Sequence, residues 1–144
     1  MKICICCSLS FTDEAKKITA SLEQMGHEVL LPEGILLDLI HKPDYDPVAV
    51  KADESIDPIR AHFGKILESD AVLICNFDKK QIRNYIGANT FLEAGFAFYH
   101  RKPIYALNPI PDQEYIHDEI SAFGIVVLNG DLSKIVSQLE PESN

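Results

Sequence analysis

The order of apolar runs along the chain predicts an α/β fold. The expected architecture is a single-domain, doubly wound, five-stranded parallel sheet of flavodoxin or Rossmann-like type, with strand order 2-1-3-4-5. Three observations lead there. Short, nearly continuous apolar runs at residues 2–7, 71–75 and 103–107 have the length and texture of strands buried on both faces. Between the apolar runs lie stretches whose apolar residues recur at three- and four-residue steps, the period of a helix packed on one side. Strict strand–helix alternation requires crossovers, and right-handed crossovers leave few topologies other than a doubly wound one.

Each element has its own signal. Residues 2–7 form the first strand. A helix follows, with Phe11, Ala15, Ile18, Leu22 and Met25 on one face and Gly26 ending it. Residues 28–31 make the second strand, stopped by Pro32. Residues 33–58 are rich in Pro and Asp and break the pattern, so 33–55 is expected as an irregular excursion, long enough to serve as a lid. Asp57-Pro58 opens the next helix, with proline at the first helical position and Ile59, Phe63, Ile66 and Leu67 as its apolar face. Residues 71–75 are the third strand. From Thr90 to His100 runs a helix apolar almost all round, hence expected to be buried. Residues 103–107 and 125–128 complete the sheet. An amphipathic helix over 131–139 closes the chain through Leu132, Ile135, Val136 and Leu139.

Composition narrows the function classes. The chain has 144 residues, 47% hydrophobic and 24% charged, which suits one domain with a full core and excludes a disordered or low-complexity chain. Thirteen basic residues against 22 acidic ones give a net charge of -9, a surface that repels nucleic-acid polymers and anionic membranes. One small phosphorylated ligand in a local pocket remains compatible with it. No apolar run reaches the ~20 residues of a membrane span, and the N-terminal apolar stretch reads as a strand rather than a signal peptide. Cys4, Cys6, Cys7 and Cys75 lie in strand-like runs without a C-x-x-C pair, so they are expected as buried core thiols in a reducing, cytoplasmic setting, with no metal site.

In a doubly wound sheet a ligand sits at the carboxyl ends of the strands. Three connecting segments reach that edge. Cys7-Ser8-Leu9-Ser10-Phe11-Thr12 carries small hydroxyls at a helix start, a place where an anion can bind, or where Ser10 or Thr12 merely caps. It matches neither G-x-G-x-x-G nor the Walker pattern. Tyr85-Ile86-Gly87-Ala88-Asn89-Thr90 is polar and leads into the apolar helix, with Glu93 in its first turn. Thr90-x-x-Glu93 is the spacing of a capping box, which needs no function. A carboxylate at the mouth of a buried helix is also placed to face a ligand, and Gly87 would let the backbone come close to it. Lys79, Lys80 and Arg83 form a compact basic cluster over the same crevice. The third segment, Asn108-Pro109-Ile110-Pro111-Asp112, is a stiff turn. Asp44, Asp46, Asp53 and His41 show no metal-ligand spacing.

Ser69-Asp70-Ala71-Val72-Leu73-Ile74, Asn89-Thr90-Phe91-Leu92-Glu93-Ala94-Gly95-Phe96-Ala97 and Arg101-Lys102-Pro103-Ile104-Tyr105, taken in order, resemble the nucleoside 2-deoxyribosyltransferase superfamily, which includes the 2'-deoxynucleoside 5'-phosphate N-hydrolases. Residues 2–10 and Gly26-His27-Glu28-Val29 fit its opening as well, so the resemblance spans most of the chain outside 33–55. It implies the same doubly wound fold and a reaction that breaks an N-glycosidic bond without a cofactor or metal. Glu93 would be the nucleophile that forms a glycosyl-enzyme, the two-step logic of retaining glycosidases. Three departures stand out. Asn89 replaces a glycine. His62 falls where the hydrolase branch carries a second acid, and an imidazole can protonate a leaving base near neutral pH. Leu9 and Phe11 occupy the first loop in place of a tyrosine, leaving Tyr45 or Tyr85 to swing in. The expected set is therefore catalytic Glu93 and His62, with Asp57 a weaker acid. Ser8, Leu9, Ser10, Gly87, Asn89, Thr90 and Asn108 would bind substrate.

The implied ligand is a nucleoside or nucleoside 5'-monophosphate. A homo-oligomer, a dimer, is expected, with Asn108 or Asn129 reaching a neighbouring subunit's site. The alternative is a non-catalytic nucleotide-binding or sensor module on the same fold, to which the Asn89 and His62 departures point.

Overall fold

A computed structural model describes residues 1–135. The chain forms β1 (Lys2–Cys6), α1 (Thr12–Gln24), β2 (Glu28–Leu30), α2 (Glu33–Leu36), α3 (Pro47–Ala52), α4 (Pro58–Glu68), β3 (Ala71–Ile74), β4 (Phe77–Lys79), β5 (Ile82–Tyr85), α5 (Ala88–Tyr99), β6 (Ile104–Ala106), α6 (His117–Ser121) and β7 (Val126–Val127). Five strands make one sheet, ordered β2-β1-β3-β6-β7. Every neighbouring pair in it is parallel. Counting only these five strands, the order is the expected 2-1-3-4-5, and the architecture is Rossmann-like.

Alternation along the strands explains the two layers. Side chains i and i+2 share a face. Ile3, Ile5, Leu73 and Tyr105 join Phe11, Ala15 and Leu22 on the α1 side. Cys4, Cys6, Val72, Ile74, Ile104 and Ala106 face the other way, onto Ile66 of α4, Ala94 and Ala97 of α5, and Ile120 of α6. The strands are buried on both faces because helices cover both, which is why they read as unbroken apolar runs.

Four local expectations change. Residues 33–55 are not irregular throughout: they hold α2, a 3-10 turn at Leu39–His41, and α3, which Asp46 caps by accepting from Val48 N and Ala49 N. Lys65 on α4 donates to Leu31 O at 2.6 Å and to Glu33 Oε1 at 2.6 Å, anchoring the entry to that segment. The polar stretch after β3 is an antiparallel hairpin, β4–β5. Its turn places Lys80 and Gln81 at φ 52 and 62, positions where glycine or asparagine would ordinarily announce a hairpin. The α5 helix is not buried all round: Leu92 and Tyr99, seven positions apart and so on one face, are 54% and 80% exposed, while Phe98 is 49% exposed although it stacks on Phe123 at 5.0 Å. Of the helix expected at 131–139, the described part is a 3-10 turn at Leu132–Lys134, with Asp131 accepting from Ser133 N, and Ile135 in the core; positions 136–139 lie outside the described residues.

Candidate functional site

A cavity of about 410 Å³ opens at the carboxyl edge of the sheet. It gathers the loop after β1, the start of α2, the 33–55 segment, the first turns of α4 and α5, and the β4–β5 hairpin. Ser8, Leu9, Ser10, Gly87, Asn89, Thr90, Glu93 and His62 all border it. Eight of the nine residues expected at the site thus meet in one place, though they span 86 positions from Ser8 to Glu93.

Glu93 sits in the second turn of α5, not the first. The helix begins at Ala88, with Gly87 as its N-cap and no side-chain cap bond, so Thr90 and Glu93 do not form a capping box. The carboxylate is 2% exposed at the cavity floor. Asn89 Nδ2 donates to Glu93 Oε1 at 3.0 Å across one helical turn. Glu93 Oε2 lies 3.0 Å from His62 Nε2. That second contact is a charge contact rather than an aligned hydrogen bond, since Oε2 and His62 Nδ1 lack well-oriented partners. Asn89, which replaces a glycine of the resembled family, therefore fixes one carboxylate oxygen.

His62 projects from α4 and is 2% exposed. Its Nε2 also lies 3.4 Å from Cys4 Sγ and 3.5 Å from Cys6 Sγ. Burial works against the charged ring, but the bonds to Cys4 and Glu93 outweigh it and raise His62 above its ordinary 6.5. Cys4 moves the other way: the bond with Cys6 lowers it most, burial opposes, and His62 lowers it further. Burial pushes Cys6 up, with the bond to Cys4 adding to it. Glu93 and His62 line the cavity, and the Cys4 and Cys6 thiols lie against His62 outside that lining; the displaced proton affinities of His62 and Cys4 beside a cleft mark a candidate functional site.

The mouth is basic. Lys79 Nζ donates to Ser8 Oγ at 3.1 Å. Lys79 and Lys80 both stand over the Tyr85 ring, at 5.4 and 5.6 Å from its centroid. Lys51 of α3 and Glu33 of α2 also border the cavity, whereas Arg83 is not among the cavity residues. Ser8 caps the 3-10 turn at Leu9–Phe11 by accepting from Ser10 N at 3.3 Å, while Thr12 Oγ1 donates to Leu9 O at 2.6 Å. Tyr45 and Tyr85 line the cavity too. Gly87 has an ordinary φ of -79, and a side chain there would meet the Tyr85 ring at 3.3 Å. The need for glycine is thus one of space beside Tyr85.

Asn108 is placed elsewhere. Its N–H donates to Asn76 Oδ1 at 3.0 Å and its Nδ2 to Asn76 O at 2.7 Å. Asn76, fully buried, donates back to Asn108 O and to Pro109 O, tying the hairpin base to the loop after β6. Asp57 pairs with Arg60 at 3.3 Å, and Asn129 occupies a turn at φ 49; neither borders the cavity. Sequence reading missed Gln113, whose amide brackets Ile86: Nε2 donates to Ile86 O at 2.9 Å and Oε1 accepts from Ile86 N at 2.8 Å. Nothing in a lone glutamine 27 positions away signals that it steadies the loop leading into α5.

The fold and site together define a doubly wound α/β protein with a buried carboxylate–imidazole pair beneath a basic mouth. No protein-family model matches the chain, and no curated protein matches it. Among solved structures it is similar to a 2-deoxyribosyltransferase from the psychrotolerant bacterium Bacillus psychrosaccharolyticus. The identity is 16%, over 76% of this chain and 73% of that one, with a TM-score of 0.50. It also aligns with FerB, an NAD(P)H:(acceptor) oxidoreductase flavoenzyme of Paracoccus denitrificans. There the identity is 17%, over 88% and 74% of the two chains, with a TM-score of 0.48. At such identities the likeness is one of fold.

Proposed function

We propose that the protein cleaves or transfers the N-glycosidic bond of a nucleoside 5'-monophosphate, with Glu93 as nucleophile. The observation that carries this reading is the buried Glu93 carboxylate at the cavity floor, held at Oε1 by Asn89 and at Oε2 by His62. A carboxylate fixed in this way can attack an anomeric carbon as the C–N bond breaks. The base leaves with the bonding electrons and takes up a proton. His62 Nε2 is committed to Glu93 and the two thiols, so the ring keeps the carboxylate oriented, and the leaving base draws its proton from water. Water or a second base then resolves the glycosyl ester and frees Glu93.

Lys79, Lys80, Ser8 and the backbone at Ser10 suit a phosphate at the other end of the cavity. In a chain of net charge -9, Lys51, Lys79 and Lys80 around the cavity give an anion a reason to bind there, the lining Glu33 being paired with Lys65. The 33–55 segment, which supplies Ile40, Tyr45, Val50 and Lys51, closes over the sugar as a lid in this reading. The exposed Leu92 and Tyr99 share one face of α5, the surface on which a second copy would dock. The buried, disulfide-free cysteines suit a cytoplasmic setting, and no helix among the described residues is long and apolar enough to cross a membrane.

The test is a turnover assay with ribo- and deoxyribonucleosides and their 5'-monophosphates, following free base by chromatography. Base release from a monophosphate supports the reading. No release, with a thermal shift on adding one of them, replaces it with the binding-module reading, which the Asn89 and His62 substitutions favour.

A further inference from the structure

The thiol side of the cluster is not used by the chemistry above. Cys4 and Cys6 stand two apart on β1, so their side chains project to the same face. His62 arrives from α4 and Glu93 from α5, on the same side of the sheet. The ligand atoms of Cys4, Cys6 and His62 lie within 4.8 Å of one another. Three groups crowd one imidazole nitrogen: two sulfurs at 3.4 and 3.5 Å and a carboxylate oxygen at 3.0 Å. A single ring nitrogen carries one proton or one lone pair and cannot satisfy three neighbours. Glu93 Oε2 is accordingly left without an aligned hydrogen bond.

A metal ion would satisfy the two sulfurs and the ring nitrogen together. With metal–sulfur bonds of about 2.3 Å and metal–nitrogen bonds of about 2.0 Å, tetrahedral coordination sets sulfur and nitrogen ligands about 3.5 Å apart. The observed spacings of 3.4 and 3.5 Å match that arrangement. We propose that Cys4, Cys6 and His62 supply three ligands of a tetrahedral site for a thiophilic divalent cation of the zinc class, with the fourth position open; the Glu93 carboxylate touches His62 but does not belong to the cluster. Two sulfur donors select against magnesium and calcium. Two thiolates balance the charge of a divalent ion. All three ligands stand on regular elements, β1 and α4, which hold geometry better than loops.

The expectation of no metal rested on the missing C-x-x-C spacing; a Cys-x-Cys pair on a strand converges just as well, with the third ligand arriving from a helix. The site stands on ligand geometry and not on the glycosidase reading. The two interact in one respect: an ion on His62 Nε2 takes the nitrogen that faces Glu93, so metal loading should lower turnover.

The test uses the full chain, reduced, stripped of metal with a chelator and titrated with Co²⁺. The expected result is one cobalt per chain, with thiolate-to-cobalt charge-transfer absorption in the near ultraviolet and intense tetrahedral bands in the visible, all bleached by Zn²⁺. Cys4→Ala and Cys6→Ala should each lower the charge-transfer intensity and weaken cobalt binding at least tenfold. Cys75→Ala should change neither, since Cys75 lies on the opposite face of the sheet. Circular dichroism checks that each variant is folded. X-ray absorption on the zinc-loaded wild type needs no variant and should find sulfur neighbours at about 2.3 Å. Absence of a charge-transfer band at one equivalent, a band that survives in both Cys4→Ala and Cys6→Ala, or a shell of oxygen and nitrogen alone would overturn the proposal. None of these readouts uses a nucleoside, so failure of the turnover assay leaves this result independent.

Discussion

Glu93→Ala and Glu93→Gln separate the two jobs of the buried carboxylate. Glu93 is 2% exposed and 3.0 Å from His62, which is equally buried. Truncation to alanine removes one partner of a buried charge pair, a change that ordinarily costs about 3–5 kcal/mol because the remaining charge stays desolvated. For a chain of 144 residues, at about 3 °C per kcal/mol, the melting temperature should fall by about 10 °C. Glutamine keeps the volume and an oxygen for Asn89 to donate to, so Glu93→Gln should melt several degrees above Glu93→Ala. Both variants lose the nucleophile. Base release should drop by about a thousandfold or more, equivalent to about 4 kcal/mol of barrier. The assays are differential scanning fluorimetry and chromatographic detection of free base, run on wild type and both variants. A Glu93→Gln protein that keeps more than about a tenth of wild-type turnover, a barrier change of only about 1.4 kcal/mol, would refute the nucleophile assignment. A Glu93→Ala protein that melts within about 2 °C of wild type would refute the account of the buried pair.

Lys79→Ala should raise KM for a nucleoside monophosphate about tenfold, the size of one charge-assisted bond, while leaving KM for the parent nucleoside nearly unchanged. Equal effects on both would remove the phosphate from that wall. Gln113→Ala takes both amide bonds from Ile86 and should lower kcat more than stability, with faster hydrogen exchange at Ile86 and Gly87 as its signature. Light scattering should find a dimer that Leu92→Asp or Tyr99→Asp converts to monomer; a wild-type monomer would leave that face of α5 unpartnered. Hydrogen bonds hold the Asp38, Asp53 and Asp131 carboxyls below their ordinary 3.8, led by His41, Ser55 and Ser133 respectively. Their contribution is present above that value and fades as pH falls through the lowered values, so melting temperature should decline below about pH 4.

The sheet was legible because a doubly wound fold writes itself locally. Residues 2–7 and 71–75 are apolar on both faces since helices cover both, and α1 carries its period in Ala15 and Leu22. The hairpin at residues 77–85 was not legible: Lys80 and Gln81 take positive φ without glycine or asparagine, held by context rather than propensity. The false capping box has a similar cause. Thr90-x-x-Glu93 has the right spacing, but the helix starts two residues earlier, at Ala88.

Most of the residues that border the cavity, Glu93 among them, come from segments that a doubly wound sheet must bring to one edge, and His62 was drawn out by family resemblance. Asn108 sits in one of those segments but turns to Asn76, a choice made by a hydrogen-bonding partner 32 positions away. Taken alone, the chain's apolar periods determined the strand order and the edge where the cavity opens, because both follow from which residues avoid water. Only the tertiary structure decided what surrounds the His62 ring. Cys4, Cys6 and Glu93 converge there from a strand and a second helix, and such convergence depends on crossing angles and register, which no local pattern encodes.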